Sequence, residues 1–451
     1  MKTQIVFLAI LSLSLVCFSN CALRFAFKLV SEGAKSPQTT LDSDSQDLFG
    51  EEWDNVGTLT PVGYRMLYLL GTKDRQSYSS FLSSKFNPIE VFVRAGGFNS
   101  TLMSANAYLQ GLFPPSTGPT LYPAQRVNAY PPVSSNYGDF NAISFGSAAL
   151  PNLAQVFPVH SFDKTDRKYF FLEFTKCNHF WNNFEENYNE DNVKQWLEDF
   201  KTQYGEKLLR ILNINDVDRF LEYEYVKEIL LSFIADYTEG KTLQKFTDNG
   251  IDLSDFNTTA TEFSTLDNYN VVSGYDTDAF YPNATMSGFR DEIKMWLTNR
   301  FEGDRNGTGY VTYQRPKLSI FVVPQATLAG IVAYMARDKG TTLKPLNYAS
   351  SLSFELKLND GVSISSSLTD ADYTVDYYLD GGLLTSISYS EFMDVLDRAW
   401  DEETVRKKCS NDLIDRYGWK NATIVLAVLL GIFTLILIIM LIYCCKKPKS
   451  E

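Results

Sequence analysis

Histidine is almost absent from this chain. Its 451 residues include only two histidines, His160 and His179, and six cysteines. Only these two residues could therefore serve as a histidine nucleophile, a histidine general base or a histidine ligand of a metal. Basic residues are outnumbered by acidic ones, 41 against 54, which leaves a net charge of −13. An acidic chain repels phosphate backbones, so we expect no nucleic acid partner.

The chain does not lack material for a folded core. Hydrophobic residues make up 45% of it and charged residues 21%, which excludes wholesale disorder. The 32 phenylalanines and 26 tyrosines can supply a large aromatic core. The length exceeds that of one average domain and fits two closely packed parts.

Residues 1–21 have the pattern of a secretory signal peptide. Lys2 precedes an uncharged apolar stretch of roughly a dozen residues, and small residues surround Ser19–Ala22. The alternative interpretation is a membrane anchor that is retained.

An uncharged apolar segment, Thr423–Tyr443, lies near the C-terminus and is long enough to cross a bilayer as a helix. Lys446, Lys447 and Lys449 follow it, which predicts a cytosolic tail over residues 444–451. The alternatives are a buried core helix, which would rarely lack charge over this length, and a GPI signal, which would end apolar. We therefore predict a type I membrane protein, at the cell surface or in endolysosomal membranes.

Five Asn-x-Ser/Thr motifs agree with secretion. They lie at Asn99, Asn257, Asn283, Asn306 and Asn421. Between the predicted signal and the predicted membrane span only Cys177 and Cys409 remain. In an oxidising compartment such a pair predicts one disulfide, and two separately buried thiols are the alternative.

The first part of the chain predicts alternating strands and helices, which is typical of a mostly parallel α/β sheet. Its predicted elements are a strand at Leu23–Val30, a helix at Thr60–Gly71, a strand at Glu90–Arg94 and a helix at Ser100–Leu112. Thr60 fits the N-cap of the first helix, and Gly71 is predicted to end it.

Helical periodicity dominates from residue 178 to about residue 241, where Val193, Leu197 and Phe200 share one face. Strand and helix patterns then return. They predict a buried strand at Leu318–Val323, a helix at Thr327–Met335, and antiparallel strands at Ser351–Leu358 and Tyr373–Leu379 around a hairpin turn at Asn359–Gly361.

Several segments occur in an order that belongs to a known family. They are Ser31–Pro37 after the first strand, Trp53–Gly63, Arg94–Ala105 with Leu109–Pro115, Phe157–Ser161, and the late pair Phe354–Leu356 and Tyr377–Tyr378. In these segments the chain resembles the histidine acid phosphatases, which are the branch-2 histidine phosphatases. Family members start with RHGxRxP, and here Ser31–Pro37 keeps the glycine as Gly33 and the proline as Pro37.

The resemblance extends from about Leu23 to Cys409 and implies an α/β fold, with a mixed sheet, helices on both faces and an inserted helical cap. We predict a core from residues 22–177 and 315–415, a cap at 178–314, and one transmembrane helix at 423–443. Cys177 and Cys409 fall where the family has a linking disulfide.

The resemblance also implies where an active site would lie. In the family, the first-motif histidine attacks phosphorus, three arginines bind the phosphoryl oxygens, and a later His-Asp pair supplies a further contact and a proton. The corresponding residues of this chain are Glu32 for the nucleophile, Ser31, Lys35 and Ser100 for the arginines, and Pro324 and Gln325 for the His-Asp pair. Only Lys35 keeps the charge type of its family position.

These departures predict a pseudophosphatase that acts in binding or scaffolding. The alternatives are an acid phosphatase with an altered site and Glu32 as a nucleophile that forms an acyl phosphate. Such a nucleophile normally recruits a metal, but no metal-spaced cluster is apparent, and we expect no cofactor. Lys35 is the remaining binding residue for a small anionic or glycan ligand, and a homodimer is compatible with the sequence. Asn99 is either buried and unmodified, or carries a sugar at the mouth of the old pocket.

Overall fold

The computed structural model describes residues 22–37, 55–126, 146–161, 177–241, 243–272, 280–307, 315–339 and 345–413, together with residues 53, 129, 312, 343, 429 and 430. The predicted signal peptide, Asn421, the cytosolic tail and all but two residues of the predicted membrane span lie outside this part of the chain. Among the helices that these residues form, none combines the length and apolar character needed to cross a membrane.

A seven-stranded mixed sheet forms the centre of the fold. Its strands are β1 Ala22–Ser31, β2 Val91–Ala95, β3 His160–Ser161, β4 Leu318–Val323, β5 Ser351–Leu358, β6 Tyr373–Leu379 and β7 Gly382–Ser388. Their order is β3-β2-β4-β1-β5-β6-β7. The first four strands along this order are parallel, whereas β5, β6 and β7 add to the β1 edge in antiparallel fashion. The predicted α/β fold class with a mixed sheet is therefore confirmed.

Helices alternate with the strands and fill the long interval between β3 and β4. They are α1 Pro61–Ser77, α2 Asn99–Leu112, α3 Pro123–Arg126, α4 Asn178–Tyr188, α5 Asp191–Leu212, α6 Tyr223–Thr238, α7 Gln244–Asp248, α8 Leu253–Leu266, α9 Phe280–Arg305, α10 Gln325–Lys339, α11 Tyr389–Arg398 and α12 Glu402–Leu413. Thr60 caps α1 as predicted, because its hydroxyl accepts a hydrogen bond from the amide of Gly63.

The two faces of β1 pack against different helices, because side chains alternate along a strand. Phe25, Phe27 and Leu29 join a cluster with residues of α9, α10 and α11. Ala26 and Val30 point the other way and join a cluster with residues of α1 and α2. Full burial of one such large side chain stabilises the fold by roughly 1.5–3 kcal/mol. Helices therefore cover both faces of the sheet.

The helices from α4 to α8 bury their own aromatic cluster. Val193, Leu197 and Phe200 of α5 are buried in it, in line with the predicted helical face. The long helix α9 takes part in this cluster through its first turns and in the sheet cluster through its later turns. Cys177 and Cys409 form a disulfide across a separation of 232 residues and join the start of α4 to α12.

The prediction that Gly71 ends α1 is wrong, since the helix continues to Ser77. Gly71 is buried in the middle of α1, where a Cβ atom would lie 2.0 Å from the backbone oxygen of Tyr108 in α2. The glycine permits a close helix crossing. A glycine in a helical segment can mark either the end of a helix or a close crossing, so the sequence alone does not distinguish the two, and the predicted helix end was wrong.

The tight hairpin of the sheet also lies one strand later than predicted. Asn359–Gly361 only begins a long connection between β5 and β6, although these strands pair in antiparallel fashion as predicted. The two-residue turn is Asp380–Gly381 between β6 and β7, and both residues have positive φ, 52° and 82°. This Asp-Gly pair has the composition that a tight hairpin prefers, and β7 was not among the predicted strands.

Candidate functional site

The residues that the resemblance assigns to the family's active-site positions lie at the carboxyl ends of the parallel strands. Ser31 ends β1 and pairs in register with Val323, the last residue of β4. Ligands in α/β sheets bind beyond these strand ends, so the loop after β1 is in the expected place for a site.

Glu32 is the central residue of this site and is almost completely buried, with 2% of its surface exposed. One carboxylate oxygen pairs with the ammonium group of Lys35. The other accepts a hydrogen bond of 2.5 Å from the hydroxyl of Ser100. Both oxygens are therefore occupied by neighbours from the same chain.

The backbone around Glu32 is held from several sides. Its amide donates to the carbonyl of Val323 at 3.2 Å, and its carbonyl accepts from the amide of Ala349 at 2.9 Å. The amide of Gly33 donates to the hydroxyl of Ser104 at 3.1 Å. A Cβ atom at position 33 would lie 2.8 Å from the carbonyl of Gly63, so this loop position requires glycine. These contacts fix the position of the loop against β4, α1 and α2.

The other residues that the resemblance assigns to the active site lie close to Glu32. Ser31 and Ser100 are fully buried, and the hydroxyl of Ser31 donates to the carbonyl of Asn347 at 3.3 Å. Pro324 follows β4, and Gln325 begins α10. The side-chain amide of Gln325 donates to the carbonyl of Leu346 at 2.6 Å. The structure thus brings Ser31, Glu32, Lys35 and Ser100 together, with Pro324 and Gln325 at the neighbouring strand end.

The charges at this centre cancel. Glu32 and Lys35 form a neutral pair, of which Lys35 is the more exposed member with 21% of its side chain accessible. Ser100 is the second residue of α2, so the Glu32 carboxylate lies at the start of a helix, where the helix dipole favours negative charge. The start of α2 could favour a bound anion, but the carboxylate of Glu32 already occupies this position.

Tyr348 is a site neighbour that the sequence reasoning did not find. It is half-buried and follows Asn347 in the loop before β5. Burial raises the pKa of Tyr348, and the nearby negative charges of Glu32 and Glu239 raise it further. Its hydroxyl therefore stays protonated at all ordinary pH values. The loop carries no motif that could have identified it in advance.

A cleft of about 400 Å³ opens between the sheet end and the helices of the α4–α8 group. Its lining includes Gln325, Asn347 and Tyr348 near the sheet end, together with Tyr237 of α6 and Asn257 of α8. Glu32 and Lys35 do not line it. In the described part of the chain, the buried contacts of Glu32 and the open cleft are therefore two separate features.

Neither histidine belongs to this centre. His160 lies in the edge strand β3, where its ring stacks on Phe92 with centroids 5.1 Å apart. His179 lies in α4 and packs edge-on against Phe280 at 4.7 Å. Within the described ranges, no group of three or more His, Cys, Asp or Glu side chains is placed to hold a metal ion.

The predicted glycosylation positions differ in accessibility. Asn99, the first residue of α2, is exposed, and so is Asn306. Asn257 is half-buried at the cleft, and Asn283 is half-buried within α9.

The sequence profile of the histidine phosphatase superfamily, branch 2, matches residues 14–298. Since this match covers more than half of the chain, the chain belongs to that family. Human lysosomal acid phosphatase is 42% identical over 96 residues, which is 21% of this chain and 22% of the human protein. Bovine prostatic acid phosphatase is 26% identical over 197 residues, which is 44% of this chain and 43% of that protein. The chain therefore spans less than half of these relatives.

Two solved structures share the fold over nearly their whole length. The phytase of Citrobacter braakii aligns with a TM-score of 0.52 at 14% identity and covers 84% of this chain and 98% of its own. The phytase of Hafnia alvei in complex with tartrate aligns with a TM-score of 0.51 at 12% identity, with the same coverage. At such low identity, these similarities establish the fold alone.

Proposed function

We propose that this chain is a non-catalytic member of the branch-2 histidine phosphatases that acts in binding or scaffolding. The buried Glu32 carboxylate is the observation that carries this proposal. The resemblance of Ser31–Pro37 to the family's first motif assigns Glu32 to the nucleophile position, and its two oxygens are engaged by Lys35 and Ser100.

Two physical reasons oppose phosphate transfer at this site. Phosphoryl transfer depends on several positive groups that stabilise the transferred charge, and here Lys35 is neutralised by Glu32. A carboxylate nucleophile would first have to give up both of its contacts and then become accessible. Loss of the family nucleophile alone costs several orders of magnitude in rate.

An acid phosphatase with an altered site is the second candidate. The relatives that match part of this chain carry the name acid phosphatase, which favours it. One form of this candidate has the Glu32 carboxylate attack phosphorus while the P–O bond to the alcohol breaks and the alcohol leaves. Water would then hydrolyse the resulting acyl phosphate to free phosphate, with Lys35 as the remaining cation.

Hydrolysis of p-nitrophenyl phosphate separates the two candidates. The purified full-length protein and its Glu32→Ala variant are assayed from about pH 4 to pH 8, with and without divalent metal ions. We expect no turnover above the blank in either protein. Turnover by the wild type that is lost in Glu32→Ala would identify Glu32 as a nucleophile and overturn the proposal.

For the cellular setting we propose a type I membrane glycoprotein of endolysosomal membranes or the cell surface. The name of the lysosomal relatives and the sequence of residues 1–21 and 423–443 support this setting. We also propose a core from 22–177 and 315–415 and a cap at 178–314. Endoglycosidase treatment should lower the apparent mass, and protease added to intact vesicles should remove only the tail at 444–451. An unglycosylated, protease-sensitive chain would contradict the topology.

A further inference from the structure

The cleft beside the site differs in chemistry from a phosphate pocket. No charged side chain is present among the described residues that line it. A phosphate or another small anion would find no cation there to offset the loss of its hydration. An ammonium ligand would likewise find no carboxylate in the lining.

Neutral hydrogen-bonding groups are instead abundant in the cleft. Asn257, Thr261, Gln325 and Asn347 contribute amides and a hydroxyl. The hydroxyl of Thr261 already donates to the carbonyl of Asn257 at 2.8 Å, and the amide nitrogen of Gln325 donates to Leu346. These two side chains therefore present their oxygens as acceptors, a role that ligand hydroxyl groups can satisfy.

Two tyrosines line the same cleft. Tyr237 is 37% exposed and is held by stacking on Phe233, with ring centroids 5.5 Å apart. Tyr348 is the second tyrosine and comes from the loop before β5. Tyrosine combines an apolar ring with a polar hydroxyl, so it can cover an apolar C–H face of a ligand and bind its polar edge.

We propose that this cleft binds a neutral glycan, which specifies the ligand class of the binding function proposed above and rests on it. A neutral glycan offers many hydroxyl groups, no charge and apolar C–H faces. These match the three properties of the lining, which has neutral hydrogen-bonding groups, no charged side chain and two tyrosine rings. The volume of about 400 Å³ lies within the range of small-molecule sites.

A glycan bound in this cleft can come from either of two sources. It is either part of a separate glycoconjugate or the N-linked glycan of the chain's own Asn257, which lines the cleft within an Asn-Thr-Thr motif. Thr259→Val distinguishes them, because it removes the glycosylation motif and leaves the Asn257 side chain in place. A self-bound glycan should block the cleft in the wild type and leave it open in Thr259→Val.

A glycan array tests the proposal with the fluorescently labelled full-length protein and its Thr259→Val variant. We expect at least one of the two to bind neutral glycans in preference to sialylated, sulfated or phosphorylated ones. Tyr237→Ala in the binding form should weaken binding about tenfold. Tyr122→Ala is the matched control, since Tyr122 is 74% exposed and does not line this cleft.

Failure of this inference is distinct from failure of the proposed function. If neither protein binds any neutral glycan, or if only charged glycans or unglycosylated peptides bind, the glycan assignment is wrong. Binding that Tyr237→Ala leaves intact would place the ligand elsewhere and overturn it as well. The non-catalytic proposal fails only if p-nitrophenyl phosphate is hydrolysed.

Discussion

The ammonium group of Lys28 lies 2.6 Å from the carboxylate of Asp74, in a contact between the centre of β1 and α1. Both residues are less than a tenth exposed, and the hydroxyl of Tyr108 donates to the same carboxylate at 2.7 Å. Burial and the negative charge of Asp74 raise the pKa of Tyr108, which keeps this hydroxyl a donor. The three side chains form one buried polar unit between the sheet and two helices.

Asp74→Ala should destabilise the protein strongly. The variant leaves the Lys28 ammonium buried without its counter-charge, which costs about 3–5 kcal/mol of the free energy of unfolding. Urea denaturation measures the loss. Lys201→Ala is the control, because its partner Asp218 is 73% exposed and we expect a much smaller effect. Equal midpoints for the Asp74 variant and the wild type would contradict this account.

Gly111→Ala should also destabilise, although alanine is the better helix former. A Cβ atom at position 111 in α2 would lie 2.0 Å from the backbone oxygen of Tyr68 in α1, so the helices must move apart. Such overpacking costs roughly 1–3 kcal/mol. Gly382→Ala is the control, since its nearest neighbour would be 3.4 Å away. A gain in melting temperature for Gly111→Ala would show that the crossing is looser than described.

The glycines show how far the fold was predictable from the sequence. The bounds of β4 and β6 were predicted to the residue, because a continuous apolar run and a clear alternation each specify a strand. Gly71 was misread because a helix stop and a close crossing select the same residue. The difference depends on Tyr108, which is distant in sequence and cannot be deduced from local pattern.

Lys35→Met should be more destabilising than the double variant Glu32→Met/Lys35→Met. The single change leaves the Glu32 carboxylate buried and unpaired, whereas the double change removes both charges. Denaturation of the wild type, the two single variants and the double variant gives the coupling energy between the residues. A double variant no more stable than Lys35→Met would show that the Glu32 carboxylate does not destabilise the fold when it loses Lys35, and would contradict the expected order of stability.

The sequence predicted that the residues of the site lie close together, but it did not predict the contacts between them. The resemblance predicted that Ser31, Glu32, Lys35 and Ser100 lie at one site. Motifs in the same order and spacing are expected at equivalent places in the same fold. The resemblance could not indicate that Ser100 and Lys35 would occupy both oxygens of Glu32, because motif spacing specifies positions along the chain and not side-chain contacts. Tyr348 was missed for a related reason: its loop lies near Glu32 only in three dimensions.

Asp376 should make the stability depend on acid pH. Burial alone would raise the pKa of Asp376, but hydrogen bonds from Lys357 at 2.7 Å and Ser386 at 2.5 Å outweigh burial and lower it. A carboxylate with a lowered folded-state pKa stabilises the fold above its unfolded pKa of about 3.9 and loses this contribution as the pH falls below that value. The stability difference between wild type and Asp376→Asn should therefore shrink between about pH 5 and pH 2.

Urea midpoints across this pH range provide the measurement for Asp376. Asp218→Asn is the control, since Asp218 is largely exposed and its removal should change the profile little. A difference between wild type and Asp376→Asn that is constant with pH would exclude a titrating contribution from this carboxylate.

The disulfide between Cys177 and Cys409 should contribute substantially to stability. It closes a loop across 232 residues and ties the start of α4 to α12. In the chain-entropy model, a loop of this length stabilises the fold by about 5 kcal/mol, because the cross-link restricts the unfolded chain. The variant Cys177→Ala/Cys409→Ala should therefore unfold at a much lower urea concentration than the oxidised wild type.

Reductant provides the matching comparison for the disulfide. It should lower the midpoint of the wild type towards that of Cys177→Ala/Cys409→Ala and leave the double variant unchanged. If complete reduction of the wild type leaves its midpoint where it was, packing between α4 and α12 alone holds these helices together. In that case Val405 and the neighbouring apolar residues of the same cluster, rather than the covalent link, would account for the stability of this contact.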